Sequence, residues 1–302
     1  MDGGAYLIIA NPTSGRGRGR RIGETVAESL RSAGRDVELR FTTGRGDGES
    51  IARSALTGSA QFGCIVACGG DGTVQEIVNA VVAAGSGVAM GLAPAGRCND
   101  FARALGIVRD ADAIAAVLLR GEARPVDLGR VNGRLFCTVA TAGIDAEVSE
   151  YVDSMTLPLR GTPAYLYGAI RVLRRYQCRP MRITGDFGTI DRPMLLASSA
   201  NTSCYGGAIH IAPEASPTDG LLDVCLIDPM SRWRAMRLLP ALLAGRHGGR
   251  RGVHFARTLR MTIGTDEPMV LWADGERIAS TPATIEVVPA AVRVFQQRIV
   301  RG

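Results

Sequence analysis

A short apolar run passes directly into a glycine-rich turn in the stretch Cys64-Ile65-Val66-Ala67-Cys68-Gly69-Gly70-Asp71-Gly72-Thr73. The apolar run is typical of a buried strand, and apolar residues then recur at helical spacing over residues 74–81. A buried strand followed by a turn and a helix is the repeating unit of a parallel sheet covered by helices. This stretch therefore predicts an α/β architecture.

The same alternation extends to both sides of the quoted stretch. Strand patterns and helical patterns follow one another at residues 6–10 (strand), 22–33 (helix), 37–41 (strand), 48–57 (helix) and 88–93 (strand). Such an order predicts an N-terminal α/β domain over residues 1–127 with a mainly parallel sheet.

The second half of the chain has a different character. Asn132-Gly133 is a strong hairpin signal between the runs 124–131 and 134–142. Convincing helical patterns occur only at residues 163–177 and 231–244. Further strand candidates are residues 181–187, 193–200, 208–212, 221–227, 253–263, 269–273 and 283–288. Many strands with few helices predict a β-rich, sandwich-like domain over residues 128–290. We expect residues 291–302 to pack back on the first domain.

Composition narrows the chemistry that the chain can perform. Its 302 residues are 46% hydrophobic and 21% charged, which excludes a disordered or fibrous protein. All 35 basic residues are arginines, so a phosphate-loop lysine, a Schiff-base lysine and a lysine general base are excluded. The net charge of +6 is spread along the chain, and no nucleic-acid-binding motif accompanies it. The groups that bind an anionic ligand or act in catalysis must therefore be arginines, carboxylates, backbone amides or metal ions.

Cysteine usage and hydropathy predict the compartment. The seven cysteines contain no Cys-x-x-Cys pair and lie mostly in apolar surroundings, as reduced thiols of an intracellular protein do. We find neither a signal-peptide pattern nor a run of roughly 20 apolar residues that would predict a membrane helix. We therefore expect a cytoplasmic protein.

Three turns follow predicted strands, at Asn11–Gly15, Gly69–Thr73 and Pro94–Asp100. Ligands of open parallel sheets bind at the carboxyl ends of the strands, where backbone amides and helix N-termini are available. A carboxylate among phosphate-binding amides needs a cation, so Asp71 indicates a metal–nucleotide ligand. The alternative is a plain strand–helix turn in which Asp71 caps the helix. Asp100 is open to the same two interpretations.

Several ordered motifs carry a resemblance that spans almost the whole chain. They are Asn11-Pro12-x-Ser14-Gly15, Gly69–Thr73 with Glu76, Pro94-x-Gly96-x-x-Asn99-Asp100-Phe101-Ala102-Arg103, Val126-Asp127-Leu128-Gly129, Ala142-Gly143-x-Asp145-Ala146, Ser216-x-x-Asp219-Gly220-Leu221-Leu222-Asp223-Val224 and Asp274-Gly275-Glu276. In these motifs the chain resembles the diacylglycerol kinase catalytic family, in its bacterial lipid kinase branch, which is related to sphingosine and ceramide kinases.

The resemblance implies an α/β nucleotide-binding domain, a β-rich lipid domain and an active site in the cleft between them. The implied reaction moves the γ-phosphoryl group of ATP to a hydroxyl of a lipid such as diacylglycerol or a sphingoid lipid. The lipid would be presented at a membrane surface, with the protein peripheral at the inner face of the membrane. A homodimer is left open.

The resemblance also implies roles for individual residues. Nucleotide contacts would come from Asn11, Pro12, Thr13, Ser14, Gly15, Thr42, Gly70, Asp71, Gly72, Thr73, Glu76, Arg97 and Asn99. Thr43 competes with Thr42 for its place. Asp71, Asp100 and Asp127 would hold the catalytic Mg²⁺ through waters. Asp219, with the carbonyl groups of Ser216 and Leu221, would bind a second, mainly structural Mg²⁺.

The Asp274-Gly275-Glu276 turn would supply the general base that accepts the proton of the lipid hydroxyl. We favour Glu276 as this acceptor, with Asp274 as the contender, and a plain hairpin turn is the structural alternative. With Asp71, these two carboxylates make up the predicted catalytic residues.

The third turn departs from the family pattern. Arg97 stands where the family has a threonine that binds phosphate with its hydroxyl group, and a guanidinium can also bind phosphate. Two further functions stay open: an NAD-kinase-like enzyme with a soluble substrate, and a catalytically impaired, nucleotide-binding regulatory protein.

Overall fold

The computed structural model describes residues 4–58, 61–154 and 162–297, and the chain divides into two compact units. The first unit takes the chain up to Val126 together with the residues from Ala290 onward, and the second unit is Asp127–Pro289. The division falls next to the boundary expected from the sequence. Residues 298–302 of the predicted C-terminal segment lie outside the described residues.

Strands and helices alternate in the first unit. Its elements are β1 (Ala5–Ala10), α1 (Ser14–Ser32), β2 (Val37–Phe41), α2 (Asp47–Thr57), β3 (Phe62–Gly69), α3 (Asp71–Ala84), β4 (Ala89–Pro94), α4 (Asp100–Ala104) and α5 (Ala111–Arg120).

The sheet of the first unit is parallel, in the strand order β2-β1-β3-β4. Residues 64–69 of β3 are all buried, as expected for a parallel strand covered on both faces. Val294 pairs with Met90 in parallel, which adds the C-terminal end of the chain to the β4 side of the sheet. The predicted α/β domain with a mainly parallel sheet is confirmed.

The strands and helices of the remainder follow in chain order. They are β5 (Glu122–Val131), β6 (Arg134–Phe136), β7 (Val139–Gly143), α6 (Ile144–Asp153), α7 (Thr162–Leu173), β8 (Arg179–Gly185), β9 (Gly188–Met194), β10 (Leu196–Ala200), β11 (Leu222–Ile227), α8 (Arg232–Leu243), β12 (Val253–Thr258), β13 (Arg260–Gly264), β14 (Val270–Ala273), β15 (Glu276–Ser280) and β16 (Ala283–Gln296).

The second unit is sandwich-like, as predicted. One antiparallel sheet has the order β12-β11-β10-β7-β14-β15. The other contains β8, β9, β13 and the first part of β16. Both sheets contribute apolar side chains to a common core, for example Ala142 and Leu226 from the first and Met181 and Ile285 from the second.

Two predicted strands are each divided in the structure because the chain passes from one sheet to the other. Residues 193–200 separate into β9 and β10 at Leu195, and residues 253–263 separate into β12 and β13 at Leu259. At the second corner, the Asp186 carboxylate accepts hydrogen bonds from the Thr258 hydroxyl (2.8 Å) and the Leu259 backbone (2.6 Å). Corners of this kind are typical of sandwiches.

One predicted strand, residues 208–212, is wrong. Only an isolated bridge between Tyr205 and Ile209 forms there, because Gly206 and Gly207 adopt positive φ angles of 61° and 84° and turn the chain sharply. Ile209 and Ile211 are nevertheless buried, so their apolar pattern reports burial rather than strand pairing.

The hairpin at Asn132-Gly133 is confirmed. Both residues have positive φ angles (46° and 91°), as a type I′ turn requires, and they join β5 to β6. The second arm is shorter than the predicted 134–142 because β6 ends at Phe136 and β7 begins at Val139. All seven cysteines are free thiols, as expected.

Candidate active site

The three predicted turns of the first unit meet at the carboxyl ends of β1, β3 and β4. A Cβ atom added to Gly96 would lie 2.5 Å from the Cα atom of Gly70, and one added to Gly15 would lie 2.0 Å from the Ala95 carbonyl oxygen. A Cβ atom added to Gly70 would lie 3.8 Å from the Ser14 hydroxyl. The absence of side chains at Gly15 and Gly96 is therefore what lets the turns approach each other.

The first turn is shaped by Asn11. Its side-chain oxygen accepts hydrogen bonds from the backbone amide (3.0 Å) and the hydroxyl group (2.9 Å) of Thr13, and its backbone amide donates to Cys68 at the end of β3. Pro12 and Ser14 are half-buried, and Thr13 is exposed. Asn11 thus fixes the turn that follows β1 against the neighbouring strand.

The second turn opens α3. Gly70 is the residue that precedes the helix, and no side chain caps this helix end. Asp71 is the first helical residue, and its Oδ1 atom accepts a hydrogen bond from the Phe101 backbone at 3.3 Å. Asp71 is therefore not the N-cap, which contradicts the alternative interpretation of this turn. The amide end of α3 presents partial positive charge toward the turn.

Glu76 lies one turn further along α3 and is buried. Its two carboxylate oxygens accept hydrogen bonds from the backbone amides of Gly46 (2.7 Å) and Gly48 (3.0 Å). Glu76 therefore holds the start of α2 beside the second turn. The structure therefore shows Glu76 in contact with backbone amides next to the second turn, and its predicted contact with the nucleotide stays a prediction.

Thr42 and Thr43 compete for one predicted nucleotide contact, and the structure distinguishes their surroundings. Thr42 is buried, and its backbone amide donates to Ala10 at 2.9 Å. The hydroxyl group and the backbone amide of Thr43 donate to the Asp47 carboxylate at 3.0 and 2.7 Å. Thr43 thus supports the first turn of α2, and Thr42 lies directly beside β1.

The carboxylates of Asp71 and Asp100 lie in the same part of the first unit. Asp71 accepts from the residue that follows Asp100, and Asp100 is buried and paired with Arg103. Burial, together with the negative charges of Asp100 and Asp71, raises the pKa of the Cys98 thiol to about 11. The structure therefore brings these two predicted metal-holding residues together.

The third turn is held by Asn99, which is buried in a left-handed conformation (φ 51°). Its side-chain oxygen accepts from the Gly96 amide at 2.9 Å, and its side-chain nitrogen donates to the Gly96 carbonyl at 3.1 Å. Asn99 is thus a brace for the turn. Arg97 is exposed, and its carbonyl oxygen accepts a hydrogen bond from Arg109.

Asp127 belongs to the second unit and holds the acidic turn of residues 216–221. Its carboxylate accepts from the Gly220 amide at 2.7 Å, and its backbone amide donates to the Pro217 carbonyl at 2.8 Å. Within the turn, the Asp219 carboxylate accepts from the Leu221 amide at 3.1 Å. The carbonyl of Asp127 accepts from Asn201, a fully buried residue that the sequence did not single out.

The Asp274-Gly275-Glu276 turn joins β14 to β15, and its two carboxylates differ. Asp274 accepts from the backbone amides of Cys137 (2.6 Å) and Thr138 (2.8 Å) and from the Thr138 hydroxyl group. Its carboxylate therefore fastens the turn to the segment between β6 and β7. Glu276 is half-buried at the start of β15.

Comparison with known proteins assigns both parts of the chain. Residues 5–131 match the diacylglycerol kinase catalytic domain, and residues 138–296 match the YegS C-terminal NAD kinase beta sandwich-like domain. A diacylglycerol kinase of Bacillus subtilis is 32% identical over 89% of this chain and 88% of its own length. The chain belongs to the diacylglycerol kinase family.

Other members of the diacylglycerol kinase family agree with this assignment. A diacylglycerol kinase of Mycobacterium tuberculosis is 31% identical over 98% of this chain and 96% of its own length. The crystal structure of a diacylglycerol kinase from Bacillus anthracis shares the fold, with a TM-score of 0.75, 20% identity and 99% of each chain covered. This chain is accordingly a lipid kinase, with ATP as its co-substrate.

The sequence placed Asp145 in a motif of the diacylglycerol kinase family but did not indicate the cavity of the second unit beside it. The cavity has a volume of about 90 Å³ and is lined almost entirely by apolar side chains of α6, α7, α8 and the sheet. Its polar members are Asp145 and Tyr205, whose hydroxyl group donates to Asp145 at 2.7 Å. Thr141 donates to the other oxygen at 2.7 Å, and burial raises the pKa of Asp145 to about 6.

The residues around the first-unit turns fit a hard cation. Carboxylate oxygens are the ligands that Mg²⁺ prefers, and it is commonly held by one or two carboxylates together with substrate phosphates. Asp71 and Asp100 supply two such groups at the junction of two glycine turns. Among residues 4–58, 61–154 and 162–297, no three His, Cys, Asp or Glu side chains form a metal site by themselves.

Within the same described ranges, none of the helices is both long enough and apolar enough to span a bilayer.

Proposed function

We propose that this lipid kinase is Mg²⁺-dependent and transfers the γ-phosphoryl group of ATP to a hydroxyl group of diacylglycerol or a sphingoid lipid. The observation that carries the proposal is the meeting of three glycine turns beside the N-terminus of α3, with Asp71 and Asp100 at the same place. Backbone amides at a helix N-terminus bind phosphate, and paired carboxylates bind the cation that accompanies it.

The nucleotide would be held mainly by backbone amides. The turn of Gly70–Thr73 at the N-terminus of α3 would supply these amides. The first turn approaches it at Ser14 and the third turn approaches it at Gly96. Asn11, Glu76 and Asn99 act by fixing the turns, because their polar atoms bond to backbone groups of the turns themselves. Thr42, rather than Thr43, is the candidate for a direct contact. Arg97 is exposed and available to a phosphate.

Asp71 and Asp100 would hold the catalytic Mg²⁺, with Asp127 as the third predicted residue. When bound, the ion would neutralise negative charge on the transferred phosphoryl group. Asp219 and the carbonyls of Ser216 and Leu221 would hold the second ion. The Gly220 amide donates to the Asp127 carboxylate and the Asp127 amide donates to the Pro217 carbonyl. These two hydrogen bonds support the assignment because they order the turn that carries those groups.

Glu276 is the proposed general base. The two carboxylates of its turn have different surroundings, and Asp274 is engaged by two backbone amides and a hydroxyl group. These three contacts give Asp274 the task of holding the turn, so we assign the catalytic task to Glu276. Glu276 would accept the proton of the lipid hydroxyl as the new oxygen–phosphorus bond forms. The bond between the γ-phosphorus and the β–γ bridging oxygen breaks in the same step, and ADP leaves.

The cavity beside Asp145 is the proposed site for a lipid chain. Its walls are apolar, as the walls of ordinary ligand pockets mostly are. Ile170 of α7 and Met236 of α8 line the cavity and are 42% and 40% exposed, so they lie at its mouth. An open apolar mouth suits a ligand that arrives from a bilayer.

The surface of α8 supports peripheral binding at the inner face of a membrane. Trp233, which lies one helical turn before Met236, is 74% exposed, and Arg232 and Arg237 are exposed on the same helix. Exposed aromatic side chains between cations are typical of helices that rest on anionic lipid surfaces.

The decisive assay offers radiolabelled ATP and Mg²⁺ to the protein with diacylglycerol, sphingosine or ceramide in micelles, or with NAD. We expect label in a lipid product, none in NAD and at least a 100-fold loss in Asp71→Asn, as for removal of one catalytic electrostatic group. Asp112→Asn, an exposed residue of α5, is the matched control. Labelling of NAD alone would favour the NAD-kinase-like alternative, and nucleotide binding without any transfer would favour the regulatory one.

A further inference from the structure

Arg18 lies at the junction of the first and third turns, and no motif of the sequence includes it. Gly15, Arg16 and Gly17 have left-handed backbone conformations (φ 58°, 62° and 90°), so the regular part of α1 begins only at Arg18. A Cβ atom added to Gly15 would lie 2.7 Å from the Nε atom of Arg18. The missing side chain of Gly15 therefore makes room for the guanidinium.

The guanidinium of Arg18 is anchored on one side only. Its Nη2 atom donates to the Gly96 carbonyl at 3.2 Å. Its Nε atom is shielded from solvent and has no hydrogen-bond partner among the described residues. Arginine carries five N–H donors in a rigid fork, and a buried donor without an acceptor is energetically unfavourable. A ligand oxygen at this junction would satisfy that donor.

Arginine side chains also surround the carbonyl oxygens of the third turn. The Gly96 carbonyl accepts from Arg18, the Arg97 carbonyl from Arg109, and the Cys98 carbonyl from Arg109 (3.2 Å) and Arg103 (3.4 Å). These contacts compensate the negative ends of three consecutive peptide groups. The turn is thereby made suitable for an anion, in a chain that has no lysine for the purpose.

We propose that Arg18 is a phosphate-binding residue, which holds the Gly96 turn with one nitrogen and donates from another to a phosphate oxygen of the bound nucleotide. This inference rests on the proposed function, since it assumes that the three turns bind a nucleotide. A planar guanidinium suits both tasks at once because its donors point in fixed, divergent directions. Arg97 occupies the motif position where the family has a phosphate-binding threonine. Arg18 lies outside the motif, and its hydrogen bond to Gly96 holds it in place before any ligand binds.

The test measures binding of ATP, ADP and adenosine to the full-length protein by calorimetry, without lipid. For Arg18→Gln we expect ATP affinity to fall on the order of 10- to 100-fold, the loss typical of a charge-assisted hydrogen bond. Adenosine affinity stays unchanged, because adenosine has no phosphate. Arg21→Gln, an exposed arginine of the same helix, is the control and leaves all three affinities unchanged.

Arg18→Lys covers the case in which Arg18→Gln does not fold. Lysine keeps the charge but cannot hold the turn and the phosphate with a rigid fork, so we expect a several-fold loss for ATP with adenosine unaffected. Equal losses for ATP and adenosine, or an unchanged ATP affinity in both variants, would overturn the assignment. A wild type that binds ATP but labels no lipid would contradict the proposed function and leave this test valid.

Discussion

Asp274 and Glu276 stand two residues apart and have different tasks in this account. Asp274→Asn removes the negative charge of a carboxylate that accepts two hydrogen bonds from backbone amides and one from a hydroxyl group. We expect it to lower the free energy of unfolding by about 1–3 kcal/mol, measured by thermal or urea denaturation. Glu276→Gln should leave the unfolding transition in place and lower kcat on the order of 100-fold or more, measured with saturating ATP. The reverse pattern would make Asp274 the base.

Asp145 makes the free energy of unfolding depend on pH, and the surroundings of its carboxyl group determine the sign of this dependence. Burial raises its pKa to about 6, above the usual value near 4 that applies to the unfolded chain. The folded state therefore holds this proton over a pH range in which the unfolded state has released it. The stability contributed by this group is present in full below about pH 4 and is lost as the pH rises to about 6.

Asp145→Asn isolates this contribution. Between pH 4 and 6 the wild type should lose up to about 3 kcal/mol of stability relative to the variant, and above this range the difference should be constant. The melting temperature of both proteins, followed over this range, measures the effect. Parallel curves for the two proteins would show that the Asp145 carboxyl titrates normally in the folded state.

At the scale of elements, the close approach of the turns explains why their glycines are needed. Gly96→Ala places a methyl group 2.5 Å from the Cα atom of Gly70, where backbone has to move. We expect the KM for ATP to rise at least tenfold, with a smaller change for the lipid, because the nucleotide turns separate. Gly44→Ala, at an exposed position with nothing within 4 Å and no positive φ, should be silent in the same steady-state assay.

The α8 surface predicts a membrane effect that is separable from catalysis. Trp233→Ala should weaken sedimentation with vesicles that contain anionic lipid and should raise the KM for vesicle-presented substrate, while ATP affinity stays the same. Leu259→Ala removes another exposed apolar side chain of the second unit, one that does not line the cavity. Equal effects of the two substitutions would remove α8 as the membrane contact.

Across the whole molecule, the features that the sequence predicted are those that depend on residues close together in the chain. The glycine turns, the parallel order of the first unit and the Asn132-Gly133 hairpin follow from short-range periodicity and backbone freedom. Contacts between distant residues left no such pattern. Glu76 reaches Gly46 and Gly48, Asp274 reaches Thr138, and Arg18 reaches Gly96 only because the fold brings these residues together.

Contacts between distant residues also explain why the strand predicted at residues 208–212 is wrong and why the sequence did not indicate the cavity beside Asp145. Ile209, Ile211 and Ala212 pack against the six-stranded sheet without pairing with it. The apolar pattern alone does not distinguish a segment that covers a sheet from a strand that pairs within it. The cavity combines side chains of three helices and a sheet, which no single stretch of sequence displays. The sequence displayed the motifs of the second unit, but it did not show that Asp127 holds the turn of residues 216–221 through a hydrogen bond from Gly220.

The proposed function requires Asp71 and Glu276 to act in the same phosphoryl-transfer step. The test measures single-turnover rates with ATP and diacylglycerol for three variants: Asp71→Asn, Glu276→Gln and the double variant. Residues that act as a unit are strongly non-additive, so the double variant should be about as slow as the slower single variant. Rates that multiply, each substitution costing its full factor in the presence of the other, would contradict the account.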